Sequence, residues 1–452
     1  MLGVNHVRAV NPRLLFGMTL LGLVGTLSGQ VLAGDFDSSR YALGDWGGVR
    51  SELYDKGYDF TIEYTNEVAS NLQGGYNDDR TARDADQVAL GLHIDLAKAW
   101  GWYGAQFQLM ITERSGRNLA LDRIGDPRAG MLSSTQEIYG RGQTWRLTQM
   151  WLSQAFLDGD LDVKFGRFGE GEDFNSFPCD FQNNAFCGAQ VANWAGSVWF
   201  NWPVSQWALR VKYNLAPELY AQIGAFEVNP SNLEVGNGFK LSGSGTEGAL
   251  IPVELVWSPR VNDLPGEYRL GYYYSTANAD DVYEGADGQP QPVTGGEFKS
   301  HSSKHGAWIV AQQQLTSRAG SPKRGLGVFF NATVHDKETN LVDNFLQVGV
   351  TYKGPFDARP NDDFGIGVAR IHVNEDVARH ARLSNQIAGI ADYENPAFMP
   401  IRDTEYDAEI YYGFAVTPWL MVRPNLQYIR QAGGVKEVDE ALVAGLKIQT
   451  RF

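Results

Sequence analysis

The chain runs to 452 residues and carries a formal net charge of −15. An acidic balance of that size argues against nucleic acid, whose phosphates attract basic surfaces. A mean hydropathy of −0.30 excludes a membrane protein built from apolar helices, but not a β-barrel, whose strands show lipid only every second side chain.

Residues 1–33 read as a secretory signal peptide. Arg8 and Arg13 form a positive start, Leu14 to Leu27 is an apolar stretch too short to span a bilayer, and Val31-Leu32-Ala33 is a small-residue cleavage site. The mature chain is expected to begin at Gly34, and losing the two arginines takes its charge from −15 to −17. After Ala33 no apolar run reaches the ~20 residues of a transmembrane helix. Residues 34–57 form a periplasmic N-terminal segment, in which Ser51 to Lys56 could make one short helix ended by Gly57. A lid or plug near a pore mouth and plain disorder are equal readings of it.

From Tyr58 onward apolar and polar residues alternate with period two, the mark of strands with unlike faces. Tyr58, Phe60, Ile62 and Tyr64 alternate with Asp59, Thr61, Glu63 and Thr65, and the same rhythm runs through Trp207, Leu209, Val211 and Tyr213. Strands are predicted near 58–68, 86–98, 103–114, 144–157, 161–169, 197–214, 219–228 and 247–258. The second half adds 266–277, 306–316, 325–336, 342–354, 362–374, 404–416, 418–430 and 438–452. Sixteen is an even number, as bacterial single-chain barrels require. Pro203 interrupts the sixth, so that segment is either a shorter strand preceded by loop or two pieces, which would break the parity.

The links divide into two classes. Ala99-Trp100-Gly101-Trp102, Asp158-Gly159-Asp160, Ala216-Pro217-Glu218 and Thr417-Pro418 are short, whereas 69–85, 115–143, 170–196, 278–305 and 375–403 are long. Short periplasmic turns and long extracellular loops are the outer-membrane pattern, and a soluble sandwich gives no reason for it. Aromatic residues at strand ends, among them Tyr58, Trp100, Trp102, Trp257, Tyr274 and Trp419, suit the headgroup layer. The fold class is therefore all-β, a transmembrane antiparallel β-barrel over 58–452.

Cys179 and Cys187 are the only cysteines. Two thiols in an exported chain are expected to form one disulfide, and no histidine lies nearby to make a metal site with them. The last strand ends Leu446, Ile448, Thr450, Phe452, and its terminal Phe resembles the signal read by outer-membrane barrel insertion machinery.

Leu43-Gly44-Asp45-Trp46-Gly47-Gly48-Val49-Arg50 resembles the N-terminal signature of the carbohydrate-selective porin family, of the pseudomonad OprB type. Gln149-Met150-Trp151-Leu152, and Phe165-Gly166-Arg167-Phe168 leading into the cysteine loop, resemble it too. The resemblance covers about 40–452. It implies a sixteen-stranded outer-membrane barrel passing glucose and related small sugars by facilitated diffusion, with no cofactor and with outer-membrane lipid and lipopolysaccharide around it.

A sugar has hydroxyls that donate and accept, and flat faces of C–H groups, so a selective constriction wants fixed charged groups beside aromatic rings. The loop at about 170–196 has that composition and is expected to fold into the lumen; a clamped surface loop is the alternative. The residues expected to touch substrate are Arg114, Trp151, Arg167, Glu170, Asp173 and Trp194. Simple parity puts Arg167 outward with Leu161, Val163 and Phe165, unless it lies at the strand's end. Polar faces carry Lys164, Arg210, Lys212, Arg269, Arg423, Lys447, Arg451, Glu254, Asp407 and Glu409. Arg114 with Arg117, Arg123 and Arg128 is expected to form a basic rim opposed by the acids of 170–180.

Other functions stand further off. A general or cation-preferring porin is compatible with the acidity. An anion-selective pore should show a basic ladder with few opposing acids, which this chain lacks. An enzyme would need Ser/His or Asp/His pairs on adjacent strands; only seven histidines are present, with His93 and His335 on predicted strands and His301 and His305 in a loop, and no G-x-S-x-G elbow stands in a strand-to-helix context.

Overall fold

The structure, a computed structural model, describes residues 36–452. The expected signal peptide and the expected start at Gly34 lie outside the described residues. Sixteen strands form one barrel. The first eight are β1 (Tyr58–Gly75), β2 (Ala82–Asp95), β3 (Ala105–Gly116), β4 (Thr144–Phe156), β5 (Leu161–Phe168), β6 (Gln206–Ala216), β7 (Leu219–Val228) and β8 (Gly248–Trp257). The others are β9 (Leu264–Ser275), β10 (Lys304–Gln314), β11 (Gly325–His335), β12 (Val342–Lys353), β13 (Asp363–Val373), β14 (Thr404–Thr417), β15 (Leu420–Arg430) and β16 (Asp439–Arg451). Each pairs antiparallel with the next, and β16 returns to β1 with Glu63 opposite Arg451. Closure leaves no open edge to recruit another chain.

Alternation sorts the side chains. On β8, Leu250, Pro252, Glu254 and Val256 are buried inward, while Val253, Leu255 and Trp257 stay exposed on the outer face. The inward charges fall where period two put them: Lys164, Arg210, Glu254, Arg269, Asp407, Glu409, Arg423 and Lys447 are buried, and Lys212 and Arg451 are half-buried. Outside, an apolar band that includes Leu209, Ile223, Leu270, Ile309, Val348 and Ile410 faces the bilayer.

Two expectations change. The stretch 69–85 is not a long loop: β1 and β2 continue as a paired hairpin up to Ser70 opposite Ala82, leaving only 76–81 as the turn. Its small and polar residues hid a ladder whose inward positions, Ala69 and Asn71, pack against loops rather than line water. The stretch 375–403 contains a helix, Glu375–Ala388, capped by the Asn374 side chain on Asp376 N at 3.1 Å and ended by left-handed Gly389. Pro203 stands before β6, which opens at Gln206, so the count of sixteen holds.

Inward glycines shape the interior. Gly271, Gly349 and Gly365 lie directly opposite Trp308, Phe329 and Tyr411 on neighbouring strands. A Cβ at any of the three would collide with the facing ring. Each ring therefore lies over bare backbone, a cross-strand pairing of aromatic and glycine.

Candidate functional site

After Phe168 the chain leaves β5 and turns into the lumen, crossing it over 169–205 before rejoining the wall at Gln206. The disulfide Cys179–Cys187 closes the far bend. Two unlike walls hold this segment.

The wall of β5–β9 holds it by charge. Asp173 receives Lys164 Nζ at 2.5 Å and lies 3.6 Å from Arg210 Nε, and Glu172 shares Lys164 at 3.3 Å. The Asp173 carbonyl accepts from Gln222 Nε2 (2.8 Å) and Arg269 (3.1 Å). Glu254 ties the segment to the wall: it accepts from Asn175 N (2.9 Å), Gln222 (2.9 Å), Arg269 (3.0 Å) and Trp308 Nε1 (2.8 Å). A buried carboxylate with this many donors offsets its desolvation cost.

The wall of β10–β14 holds it by rings. Phe177 meets Phe329 edge-on at 5.3 Å between centroids, and Phe181 meets Phe329 at 5.7 Å and Tyr411 at 4.8 Å. Such tilted pairs are the favoured aromatic geometry. Beyond them the segment is pinned to β13–β16. Asp180 lies 3.3 Å from Arg423, which also pairs with Asp363 at 3.2 Å, and Glu409 accepts from Gln182 N (3.0 Å) and Asn183 N (2.6 Å).

A second inward excursion, within 125–143, packs beside the first. Glu405 accepts from Leu132 N (2.8 Å) and Ser133 N (2.7 Å), and Lys447 bridges Glu67 and Glu137 at 3.1 Å each. Two lumenal segments thus narrow the barrel together.

Burial pushes the Glu170 carboxyl well above the usual carboxylate range, and the Gln206 side chain and backbone N–H donors offset this only in part. Burial also acts to raise Asp173, but Lys164 and Arg210 beside it prevail and hold it below that range.

The expected substrate residues separate into groups. Trp151 and Asp173 come together: Lys164 Nζ lies 5.1 Å from the Trp151 ring and 2.5 Å from Asp173. Glu170 sits higher, bonded to Gln206 at the outer end of β6. Trp194 packs on Phe345 of β12 at 5.1 Å. Arg114 is buried at the outer end of β3, donating to Gln87 (2.7 Å) and to the carbonyl of Gly140 (2.9 Å). Arg167 keeps outward parity and is buried under loops, where it donates to the carbonyls of Lys240 (2.6 Å) and Ser205 (2.5 Å). It clamps loops and stands apart from the lumenal cluster.

The expected basic rim is corrected as well. Arg117 pairs with Asp122 at 2.9 Å and Arg128 with Asp126 at 2.7 Å, each within its own loop. The acids of 170–180 face the strand cations Lys164, Arg210 and Arg423 instead, because the segment descends below the rim. The residues that sequence reasoning did not assign to the site are the ring wall, Trp308, Phe329 and Tyr411. Their signal is inward parity: large rings standing where a watery lumen would be given polar side chains.

Comparison with known proteins places the chain. Residues 79–452 match the family model "Carbohydrate-selective porin, OprB family". Porin B of Pseudomonas aeruginosa is 67% identical over 435 residues, 96% of each chain. A putative porin, QuiX, of Acinetobacter baylyi is 45% identical over 445 residues, 96% of this chain and 99% of that one. The high-pH structure of Pseudomonas putida OprB superposes with a TM-score of 0.91 at 69% identity, covering 93% of this chain and all of that one. The low-pH structure of the same protein gives a TM-score of 0.59 at 48% identity over 92% of this chain. With its closed barrel, its lumenal segments and these relatives, the chain belongs to the family of carbohydrate-selective porins of the Gram-negative outer membrane.

Proposed function

We propose that this porin passes glucose-sized sugars by facilitated diffusion through a gap bounded on one side by Trp151 and the Lys164–Asp173–Arg210 cluster. Phe177, Phe181, Phe329 and Tyr411 bound it on the other. The observation that carries the reading is the opposed placement: one segment presents a carboxylate to a cationic wall and phenyl rings to an aromatic wall. A pyranose has the matching asymmetry, with hydroxyls at its edge and C–H groups on its face. Fixed charges exchange hydrogen bonds with the hydroxyls as water is shed, and rings cover the apolar face. The protein supplies no chemistry of its own in this reading. His335, the buried histidine of β11, is held by Tyr273 Oη at 2.9 Å and Thr333 Oγ1 at 3.0 Å, within a packed ring cluster.

The test is uptake into proteoliposomes, comparing glucose with a zwitterion of similar size and with chloride. Glucose should enter fastest, and Asp173→Asn should slow it about tenfold, the scale of one charged hydrogen bond, while chloride entry stays or rises. Equal entry of all three solutes through the unaltered protein would make this a general pore.

A further inference from the structure

Fifteen of the sixteen neighbouring strand pairs are joined by a turn or loop; β1 and β16, first and last in the chain, are not. At their periplasmic end no turn ties these two strands to each other, so the ladder there has only its own rungs to hold it. The main-chain ladder there ends with Phe452 N donating to Ile62 O at 2.9 Å. One rung further down, a side chain takes over. Arg50 donates from one guanidinium nitrogen to Phe60 O on β1 (2.6 Å) and from another to the main-chain oxygen of Phe452 (2.7 Å), so it bridges both lips of the seam.

The residues before β1 are shaped to present that guanidinium. Asp45 accepts from Ser51 N (2.7 Å) and Ser51 Oγ (2.9 Å), with Gly47 and Gly48 at φ 72° and 100°, making a tight turn into the helix α1 (Val49–Asp55). Glycine is needed in that left-handed region. The turn sets Arg50 between aromatic rings: its Cζ lies 3.5 Å from the Tyr41 centroid and 4.8 Å from that of Trp46, and the residue is 1% exposed. Trp46 in turn leans on Phe60, and Ala42 N donates to Arg451 O at 2.8 Å. At the far end of α1, Asp95 N donates to Gly57 O (2.8 Å), which ties the segment to β2.

We infer that residues 36–57 are a clasp that replaces the missing turn between β1 and β16, with Arg50 as its bolt. This gives the Gly44-Asp45-Trp46-Gly47-Gly48-Val49-Arg50 signature a purpose separate from transport: it locks the seam from the periplasmic side once the first and last strands have met. The rigid guanidinium fork suits the task because its separate nitrogens reach one main-chain oxygen at each lip of the seam, which a lysine ammonium reaches less well.

The experiment is hydrogen exchange, read by mass spectrometry, on the full-length protein in detergent micelles, comparing Arg50→Ala and Arg50→Lys with the unaltered chain. Arg50→Ala should speed exchange about tenfold or more at the periplasmic ends of β1 and β16, since a charge-assisted bond to each strand is lost. Exchange at Leu250 to Val256 of β8, on another part of the wall, should not change. Arg50→Lys should recover part of the protection. If Arg50→Ala does not fold, Trp46→Leu, which removes only a ring from around the guanidinium, should show the same seam-confined change to a smaller degree. Unchanged exchange at the seam, or an equal rise at β8, overturns the clasp.

Discussion

The wall of β5–β9 and the wall of β10–β14 grip one segment by different physics. The first uses Lys164, Arg210, Gln222, Glu254 and Arg269, groups whose attraction is strong only if every charge keeps its partner. The second relies on Phe329 and Tyr411 on the strands against Phe177 and Phe181 on the segment, contacts that are individually weak and set by shape, and only beyond them does Glu409 add hydrogen bonds to Gln182 N and Asn183 N. A narrow pore built in this way can be both firm and slippery. Charge fixes the position of the segment; in the proposed transport path, rings would offer a surface with no directional hold on a solute. A lumen with two ionic walls would detain a sugar, and one with two aromatic walls would not compensate the water its hydroxyls give up.

The two walls meet at Glu254, and the largest effect is expected there. It binds Arg269 from the ionic side and Trp308 from the aromatic side, and also holds Asn175 of the crossing segment. Glu254→Ala leaves Arg269 with one carboxylate, Glu267 at 2.9 Å, besides the Asp173 carbonyl, and strips Trp308 of its acceptor. Breaking a buried pair from one side costs about 3–5 kcal/mol. The expected outcome is a lower temperature for loss of the folded band on heating in detergent, together with larger chloride conductance as the segment loosens. Glu254→Gln, which keeps the shape and most acceptor capacity, should fall between. If Glu254→Ala left both temperature and conductance unaltered, the segment would not be held by charge.

Much of this arrangement was legible in the sequence, but in one dimension. Period two fixed which residues face inward, so Lys164, Arg210, Glu254 and Arg269 were placed on the correct face from their neighbours alone. What alternation cannot supply is depth. Composition predicts that 170–196 enters the lumen but not how far, so its acids are expected opposite the rim of Arg114, Arg117, Arg123 and Arg128, whereas the segment sinks until Asp173 reaches Lys164 at mid-strand. Cross-strand register was equally hidden. Nothing within β9 says that Gly271 faces Trp308, since that pairing depends on how β10 aligns beside it. The 69–85 stretch failed for a related reason: a hairpin reaching above the membrane and packing against loops has no need of an apolar outer face, so it loses the contrast by which strands are recognised.

The register pairs offer the next test, which acts on the aromatic wall alone. Gly349 of β12 lies opposite Phe329, and a Cβ there would strike the ring. Gly349→Ala should therefore displace Phe329 from its contacts with Phe177 and Phe181, at about 1–3 kcal/mol for overpacking. The stability loss should be smaller than that of Glu254→Ala, yet glucose entry should drop with chloride entry unchanged, since no charge has moved. Phe329→Leu should relieve the clash with the ring, though not that with the Ile366 backbone oxygen, so the double variant should recover part of the stability without recovering glucose entry. Full glucose entry in the Gly349→Ala protein would remove the ring wall from the transport path.

The smallest effect is expected outside both walls. Arg117 is 66% exposed and pairs with Asp122 at 2.9 Å inside its own loop, while Asp122 is also held by Arg83 of β2. An exposed pair of this kind contributes about 0–1 kcal/mol, and salt screens it further. Arg117→Ala should shift thermal stability by less than about 0.5 kcal/mol, the usual range for surface substitutions, and leave glucose and chloride entry as they were. The value of the experiment lies in its contrast with Asp173→Asn. If net charge anywhere near the mouth governed entry, the two variants would shift it by similar amounts in opposite directions, because one removes a positive and the other a negative charge from the route inward. If selectivity resides where Asp173 meets Lys164 and Arg210 across the lumen from the rings, only the buried change should slow glucose. A fall in glucose entry on Arg117→Ala as large as that on Asp173→Asn would move the selective step up to the rim.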